Sequence, residues 1–157
     1  MADPSCSANR GSMVNTNLFK LIHTIELISN ENIVKFSSKF EYPVGISAIL
    51  VLAHLRDNGP VKQSDLAETL RYSKGAITNI SSKLVKFELA ERLYSKDDRR
   101  TIHLKITNKG QSSLLEAQKI GEEIFVELFD GLTEEELDQY LNIQQKILNG
   151  MKNKRLS

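Results

Sequence analysis

The chain has 157 residues, is 40% hydrophobic and carries a formal net charge of +1. That length and apolar share suffice for one domain with a sizeable core. No apolar run reaches the ~20 residues that span a bilayer, no secretory signal is visible, and the single cysteine, Cys6, excludes a disulfide scaffold and predicts a cytoplasmic location.

The first twelve residues, MADPSCSANRGS, read as a leader foreign to the fold, with Met13 a native start and a single domain over residues 13–157. From Asn17, Leu18, Leu21, Ile22, Ile25 and Ile28 form a helical stripe. Ser29-Asn30-Glu31-Asn32 interrupts it, and a second run follows with Ile33, Phe36 and Phe40. Tyr42-Pro43 predicts a break. Residues 46–55 are apolar nearly all round, which predicts a central core helix ended by Asn58-Gly59-Pro60.

Gln63-Ser64-Asp65 is polar and suited to capping a helix that carries Leu66, Ala67 and Leu70. Arg71-Tyr72 breaks the pattern, and Ser73 restarts it as an N-cap. Ile77, Ile80, Leu84 and Phe87 then make one apolar stripe. At 100° per residue the opposite face is Gly75, Thr78, Asn79, Ser82 and Lys86. This face is polar and free of acid, whereas a merely solvated helix face usually mixes Glu with Lys. Small residues near its N-terminus suit close approach to phosphates and base edges.

Leu89, Glu91 and Leu93 alternate with Ala90, Arg92 and Tyr94, and Ile102, Leu104 and Ile106 alternate with Thr101, His103 and Lys105. Period-two patterning on both sides of a polar turn predicts an antiparallel hairpin. Its tip, Asp97-Asp98-Arg99-Arg100, is too long for a two-residue turn. An arginine there could enter a narrow minor groove, where the potential is most negative, with Asp97 holding the Arg99 guanidinium. A plain solvated tip is the alternative.

After Gly110 a long helix carries Leu114, Ala117, Gly121, Ile124, Phe125 and Leu128, and Asp130-Gly131 stops it. Thr133 with Glu136 is a capping box for a last helix holding Leu137, Tyr140, Leu141, Gln144, Ile147 and Leu148. The terminal helices are long and amphipathic, so a second copy related by a two-fold axis is the economical cover for their apolar faces. Charge is unevenly spread. Residues 62–109 hold eleven Lys/Arg against six Asp/Glu, while residues 110–150 hold two against nine. The positive charge therefore sits on the helix pair and hairpin, an electrostatic footprint for a polyanion.

Helix pair plus ribbon is a winged helix. The segment LAETLRYSKGAITNISSKLVKFELAER, the wing Asp97-x-Arg99, and Ile106-Thr107-x-x-Gly110 together resemble the MarR (multiple antibiotic resistance regulator) family of bacterial transcription factors. The resemblance extends from about Asn17 to Met151. Two positions depart from it: Arg71-Tyr72 stands where a turn glycine is common, and Glu88 where glycine precedes the first wing strand. Both departures would place a non-glycine residue at positive φ.

The fold expected is mainly α with a small antiparallel β wing. Residues 46–109 would form the winged helix-turn-helix unit, and residues 13–45 and 110–151 the dimerisation helices. The function expected is a homodimeric, sequence-specific DNA-binding regulator, a repressor of a pseudo-palindromic operator. Thr78, Asn79 and Ser82 would read base edges, and Gly75 would allow close approach. Gln63, Ser64, Ser73, Lys74, Lys83 and Lys86 would lie at phosphates, and Arg99 and Arg100 at the minor groove. The resemblance implies a small-molecule effector whose pocket lies between dimer helices and winged helix.

No cofactor or metal is expected, because His23, His54 and His103 stand far apart with no cysteine partner. No catalytic constellation is present either, so no enzyme activity is expected. The alternative is a winged helix used for protein contact without DNA affinity.

Overall fold

Glycines bound one helix and polar caps or left-handed residues most of the others in the computed structural model, which describes residues 5–94 and 101–153, with side chains from Asn17 onward. Helix α1 runs Ser5–Lys39 without a break. The expected interruption at Ser29–Asn32 is therefore corrected. No glycine or proline stands between Gly11 and Pro43, and Ser and Asn each cost a helix only ~0.5 kcal/mol relative to Ala. Asn32 keeps the stripe's phase between Ile25 and Phe36, and Phe36 and Phe40 are buried. The helix also takes in Ser5–Ser12, part of the segment read as a leader.

Helix α2 (Gly45–Asn58) starts and ends at glycines with positive φ, 68° at Gly45 and 72° at Gly59. It buries Ala48, Val51, Leu52 and Leu55, while Ile46 and Leu50 stay exposed. It is thus central but one-sided rather than buried all round. Strand β1 (Val61–Lys62) follows, an element the sequence did not announce. Helix α3 (Gln63–Leu70) has Lys62 at its N-cap and no side-chain cap bond, which corrects the cap expected from Gln63-Ser64-Asp65. Pairing of Val61 with Leu104 and of Lys62 with His103 directs the chain into the helix instead. The Ser64 hydroxyl donates to Asp65 Oδ1 at 3.0 Å.

Helix α4 (Lys74–Lys86), strands β2 (Ala90–Tyr94) and β3 (Ile102–Ile106), and helices α5 (Asn108–Phe129) and α6 (Glu134–Asn153) complete the order. The sheet is antiparallel with order β1-β3-β2, so the expected hairpin is present and β1 covers its far edge. The capping box also forms. Thr133 N–H donates to Glu136 Oε2 at 2.9 Å, and Glu136 N–H to Thr133 Oγ1 at 3.3 Å.

The chain divides into two compact units, Met1–Ile120 and Gly121–Ser157. The core of the first gathers Val51, Leu52, Leu55, Leu66, Ile77, Leu84, Leu89, Leu104 and Leu114, all nearly or fully excluded from solvent. In the second, Phe125 and Phe129 stack at 6.3 Å and Phe129 meets Tyr140 at 5.7 Å. Helix α6 itself buries nothing, and Tyr140, Leu141, Ile147 and Leu148 are 44–54% exposed. On α1, Leu18, Leu21, Ile22, Ile25 and Ile28 are 41–57% exposed. Both terminal helices therefore carry apolar stripes that one chain leaves uncovered. No helix among the described residues is long and apolar enough to cross a membrane.

Candidate nucleic-acid interface

The site is built on α4, whose start and end are both set by local chemistry. Ser73 Oγ accepts from Ala76 N–H at 3.1 Å, the N-cap the sequence predicted. Ahead of it, Arg71 adopts φ 58°, with Arg71 N–H bonded to Glu68 O at 3.2 Å and Tyr72 N–H to Ala67 O at 2.9 Å. Behind it, Glu88 adopts φ 63°, with Glu88 N–H bonded to Val85 O at 3.0 Å and Leu89 N–H to Leu84 O at 2.9 Å. Both are Schellman ends whose left-handed residue is usually glycine. The positive φ expected at both departures is present, and each helix end satisfies its last carbonyls despite it.

Ile77 and Leu84 are buried as expected, while Ile80 and Phe87 are half-buried, Phe87 against the Tyr42 ring at 5.8 Å. The buried stripe includes one residue the pattern missed. Ser81 is fully buried, and its hydroxyl has no partner among the described residues. Its polarity hid it from a reading of hydrophobic spacing.

The opposite face matches the expectation. Gly75, Thr78, Asn79, Ser82, Lys83 and Lys86 are all exposed, and no acid stands between Glu68 and Glu88. A Cβ added at Gly75 would meet nothing within 4 Å. Two side chains from other elements brace this face. Gln63 Nε2 on α3 donates to Thr78 Oγ1 at 3.0 Å, and Thr78 Oγ1 donates to Lys74 O at 2.8 Å. Arg92 Nη2 on β2 donates to Ser82 Oγ at 2.7 Å. Asn79 makes no such bond among the described residues. Gln63, expected at a phosphate, is thus half-buried with its amide on the reading helix.

Arg92 is the residue that sequence reasoning overlooked. Alternation gave two faces for β2 without saying which turns inward. The register opposes Ala90 to Ile106, Arg92 to Leu104 and Tyr94 to Ile102, which puts Arg92 on the face of buried Leu104 and Ile106 and within reach of α4. The outer face holds an exposed Lys105–Glu91 pair at 3.5 Å. Lys62 was also passed over. With Gln63, Ser64, Thr101 and Ile102 it lines a cavity of about 280 Å³ where α3 begins. The tip residues Asp97, Arg99 and Arg100 lie outside the described residues.

The wing is tied to α5 through Thr107 and Gly110. Thr107 Oγ1 donates to Glu88 O at 2.6 Å and accepts from Gly110 N–H at 2.9 Å, and Thr107 N–H donates to Leu89 O at 3.1 Å. A Cβ at Gly110 would fall on the Leu89 carbonyl oxygen and within 2.8 Å of Ile106 Cγ1. The Thr-x-x-Gly pattern therefore has a mechanical reason. Threonine caps α5 while gripping the end of the reading helix, and glycine lets the two backbones touch. Among the described residues no three His, Cys, Asp or Glu side chains come together as a metal site.

Comparison with known proteins agrees with this geometry. The sequence model of the MarR family matches residues 46–102. An HTH-type transcriptional regulator of Bacillus subtilis, YpoP, is 31% identical over 132 residues, covering 84% of this chain and 89% of that protein. The HTH-type transcriptional repressor MdtR of the same organism is 31% identical over 99 residues, 63% of this chain and 64% of MdtR. Among solved structures, YusO from Bacillus subtilis matches with a TM-score of 0.71 at 25% identity, covering 88% of this chain and 96% of that one. A mutant MarR from E. coli, solved in complex with operator DNA, matches in fold with a TM-score of 0.66 at 21% identity, over 84% and 96% of the two chains.

Proposed function

The chain belongs to the MarR family, and we propose that it is a dimeric DNA-binding transcriptional repressor of a pseudo-palindromic operator, released by a small-molecule effector. The observation that carries the reading is the exposed, acid-free face of α4, flanked by Lys74, Lys83 and Lys86. A winged helix serving protein contact alone would present an acidic or apolar face, and this one is neither. The uncovered stripes on α1 and α6 support a two-fold dimer built from the terminal helices. The relatives' names support the regulatory role, and no catalytic step is assigned. Residues 46–109 act as the DNA-reading unit, and residues 13–45 and 110–151 supply the dimer.

Thr78, Asn79 and Ser82 face base edges, with Gly75 against the DNA backbone. Ser64, Ser73, Lys74, Lys83 and Lys86 meet phosphates, with Gln63 and Lys62 at the same edge of the site. Arg99 and Arg100 serve the minor groove, with Asp97 orienting Arg99. The experiment is selection of bound sites from random duplex DNA, followed by titration at several salt concentrations. Two half-sites about one helical turn, roughly 10 bp, apart are expected. Arg99→Ala should weaken binding by ~1–3 kcal/mol and lower the salt slope. Unchanged affinity and slope for Arg99→Ala would remove the wing from the interface. Failure to select any sequence would sink the repressor reading.

A further inference from the structure

The hydrogen bonds on α4 decide which atoms of its polar face are free to meet a partner. Thr78 has one hydroxyl, and its proton is committed to Lys74 O at 2.8 Å while its oxygen accepts from Gln63 Nε2 at 3.0 Å. A hydroxyl turned back on its own helix in this way leaves the γ-methyl as the group free to meet a partner. Ser82 is in the complementary condition. Its oxygen already accepts from the Arg92 guanidinium at 2.7 Å, which leaves the proton and one lone pair, and the cation on the oxygen makes the proton the stronger group to offer. Asn79 keeps both a donor and an acceptor uncommitted among the described residues.

We infer that the reading face presents a methyl group at Thr78, an amide at Asn79 and a hydrogen-bond donor at Ser82, and that the half-site is selected accordingly. The inference rests on the DNA-reading role proposed above. In the major groove only thymine offers a methyl, at C5, for Thr78 to meet. Asn79 matches adenine, whose N7 and N6 form the acceptor–donor pair an amide can engage. A donor at Ser82 favours an acceptor edge, a purine N7, a guanine O6 or a thymine O4, over the cytosine amino group.

Thr78 and Ser82 stand one helical turn apart, ~6 Å along the axis. Their targets therefore lie within about two base steps of each other, at ~3.4 Å per step. Gln63 and Arg92 act as positioning residues. Neither need touch a base to set what the helix reads.

The test replaces atoms in the DNA as well as in the protein. Duplexes selected by the full chain are resynthesised with deoxyuridine in place of each thymidine, which deletes only the C5 methyl, and with 7-deazapurines, which delete only N7. At one thymine per half-site, uracil should weaken binding about fourfold for each half-site replaced, the worth of one buried methyl, and about fifteenfold with both replaced. At that position Thr78→Ser, which keeps the hydroxyl and loses the methyl, should bind the thymine duplex as weakly as the parent binds the uracil duplex. Thr78→Val, which keeps a methyl and loses the hydroxyl, should keep the parent's preference for the thymine duplex over the uracil duplex. An acceptor deletion within two steps should weaken the parent and leave Ser82→Ala indifferent.

Selection of a defined site that is insensitive to every uracil replacement overturns this inference and leaves the DNA-reading role standing. So does a Thr78→Ser variant that still discriminates thymine from uracil beside a Thr78→Val variant that does not. Absence of any selected site overturns the DNA-reading role itself. Because the uracil and deaza arms use the unaltered protein, they decide the matter even if a variant folds poorly.

Discussion

Gly110→Ala should be the most damaging Gly→Ala change at the junction between α5 and the winged helix, because its Cβ has no room. The added Cβ would overlap the Leu89 carbonyl oxygen and lie 2.9 Å from the Leu89 carbonyl carbon. Ile106 Cγ1, at 2.8 Å, belongs to a side chain that could turn away, but Leu89 is backbone and cannot. Relief requires the start of α5 to retreat from the end of the reading helix. That movement strains two bonds at once: Thr107 N–H to Leu89 O and Thr107 Oγ1 to Glu88 O. Each is worth ~1 kcal/mol net, and overpacking adds ~1–3 kcal/mol.

The expected loss is about 3–5 kcal/mol, a large part of the ~5–15 kcal/mol that holds a domain together. Urea unfolding at one fixed protein concentration measures it, because a dimer's apparent stability depends on concentration. Gly75→Ala is the control, since its Cβ enters open space in a helix. There stability should stay level or rise by up to ~1 kcal/mol, while DNA affinity falls if Gly75 meets the DNA backbone as proposed. A Gly110→Ala variant within about 0.5 kcal/mol of the parent would refute the close-packing argument, since that is the scatter of neutral surface substitutions.

Glu88→Gly should stabilise the fold by ~0.5–1 kcal/mol in the same urea assay. It relieves a left-handed cost of ~1–2 kcal/mol and forfeits only an exposed pair with Lys109 at 3.3 Å worth ~0.2–1 kcal/mol. Lower stability would mean that the pair or the side chain outweighs the strain. Ser73→Ala should cost ~1 kcal/mol by removing the cap on Ala76 N–H, a loss visible as a lower urea midpoint. Leu141→Asp combined with Leu148→Asp should halve the mass seen by light scattering at micromolar concentration while leaving the circular dichroism of the helices intact, because α6 buries nothing within one chain. A variant that stays dimeric would take α6 out of the interface.

Much of the reading helix was legible because its signals are local. Ser73 needs only the next turn to act as a cap, and the stripe through Ile77 and Leu84 needs only the 3.6-residue repeat. The two positive-φ positions were visible through the family resemblance, which sets glycine where Arg71-Tyr72 and Glu88 stand in this chain. What stayed hidden depends on partners distant in sequence. Val61 and Lys62 form a strand only because Leu104 and His103 lie alongside, more than forty positions later. Arg92 turns toward Ser82 only once the register with β3 decides which side of the hairpin is inward. Ser81 is buried although nothing in its chemistry asks for it. The break expected near Ser29 failed for a related reason. Polar composition alone is no stop signal, because a helix stops where its backbone cannot continue.

The same contacts bear on how such a unit could be regulated. Helix α4 is held at its start by the Schellman end at Arg71 and the Ser73 cap. Along its length it is braced by Gln63 from α3 and Arg92 from β2. At its end it is seated by Thr107 and Gly110 through the Glu88 and Leu89 carbonyls. Bending or rotating α4 alone would break bonds from α3, β2 and the β3–α5 junction at once, at ~1 kcal/mol each. A rigid shift of the whole winged helix breaks none of them. An effector can shift an equilibrium only by its differential affinity for the two states, commonly ~1–3 kcal/mol. With that little energy available, the less costly state to select is one in which two intact reading units are differently spaced. Regulation would then act on the geometry between copies, and the base preference written on α4 would be the same in both states.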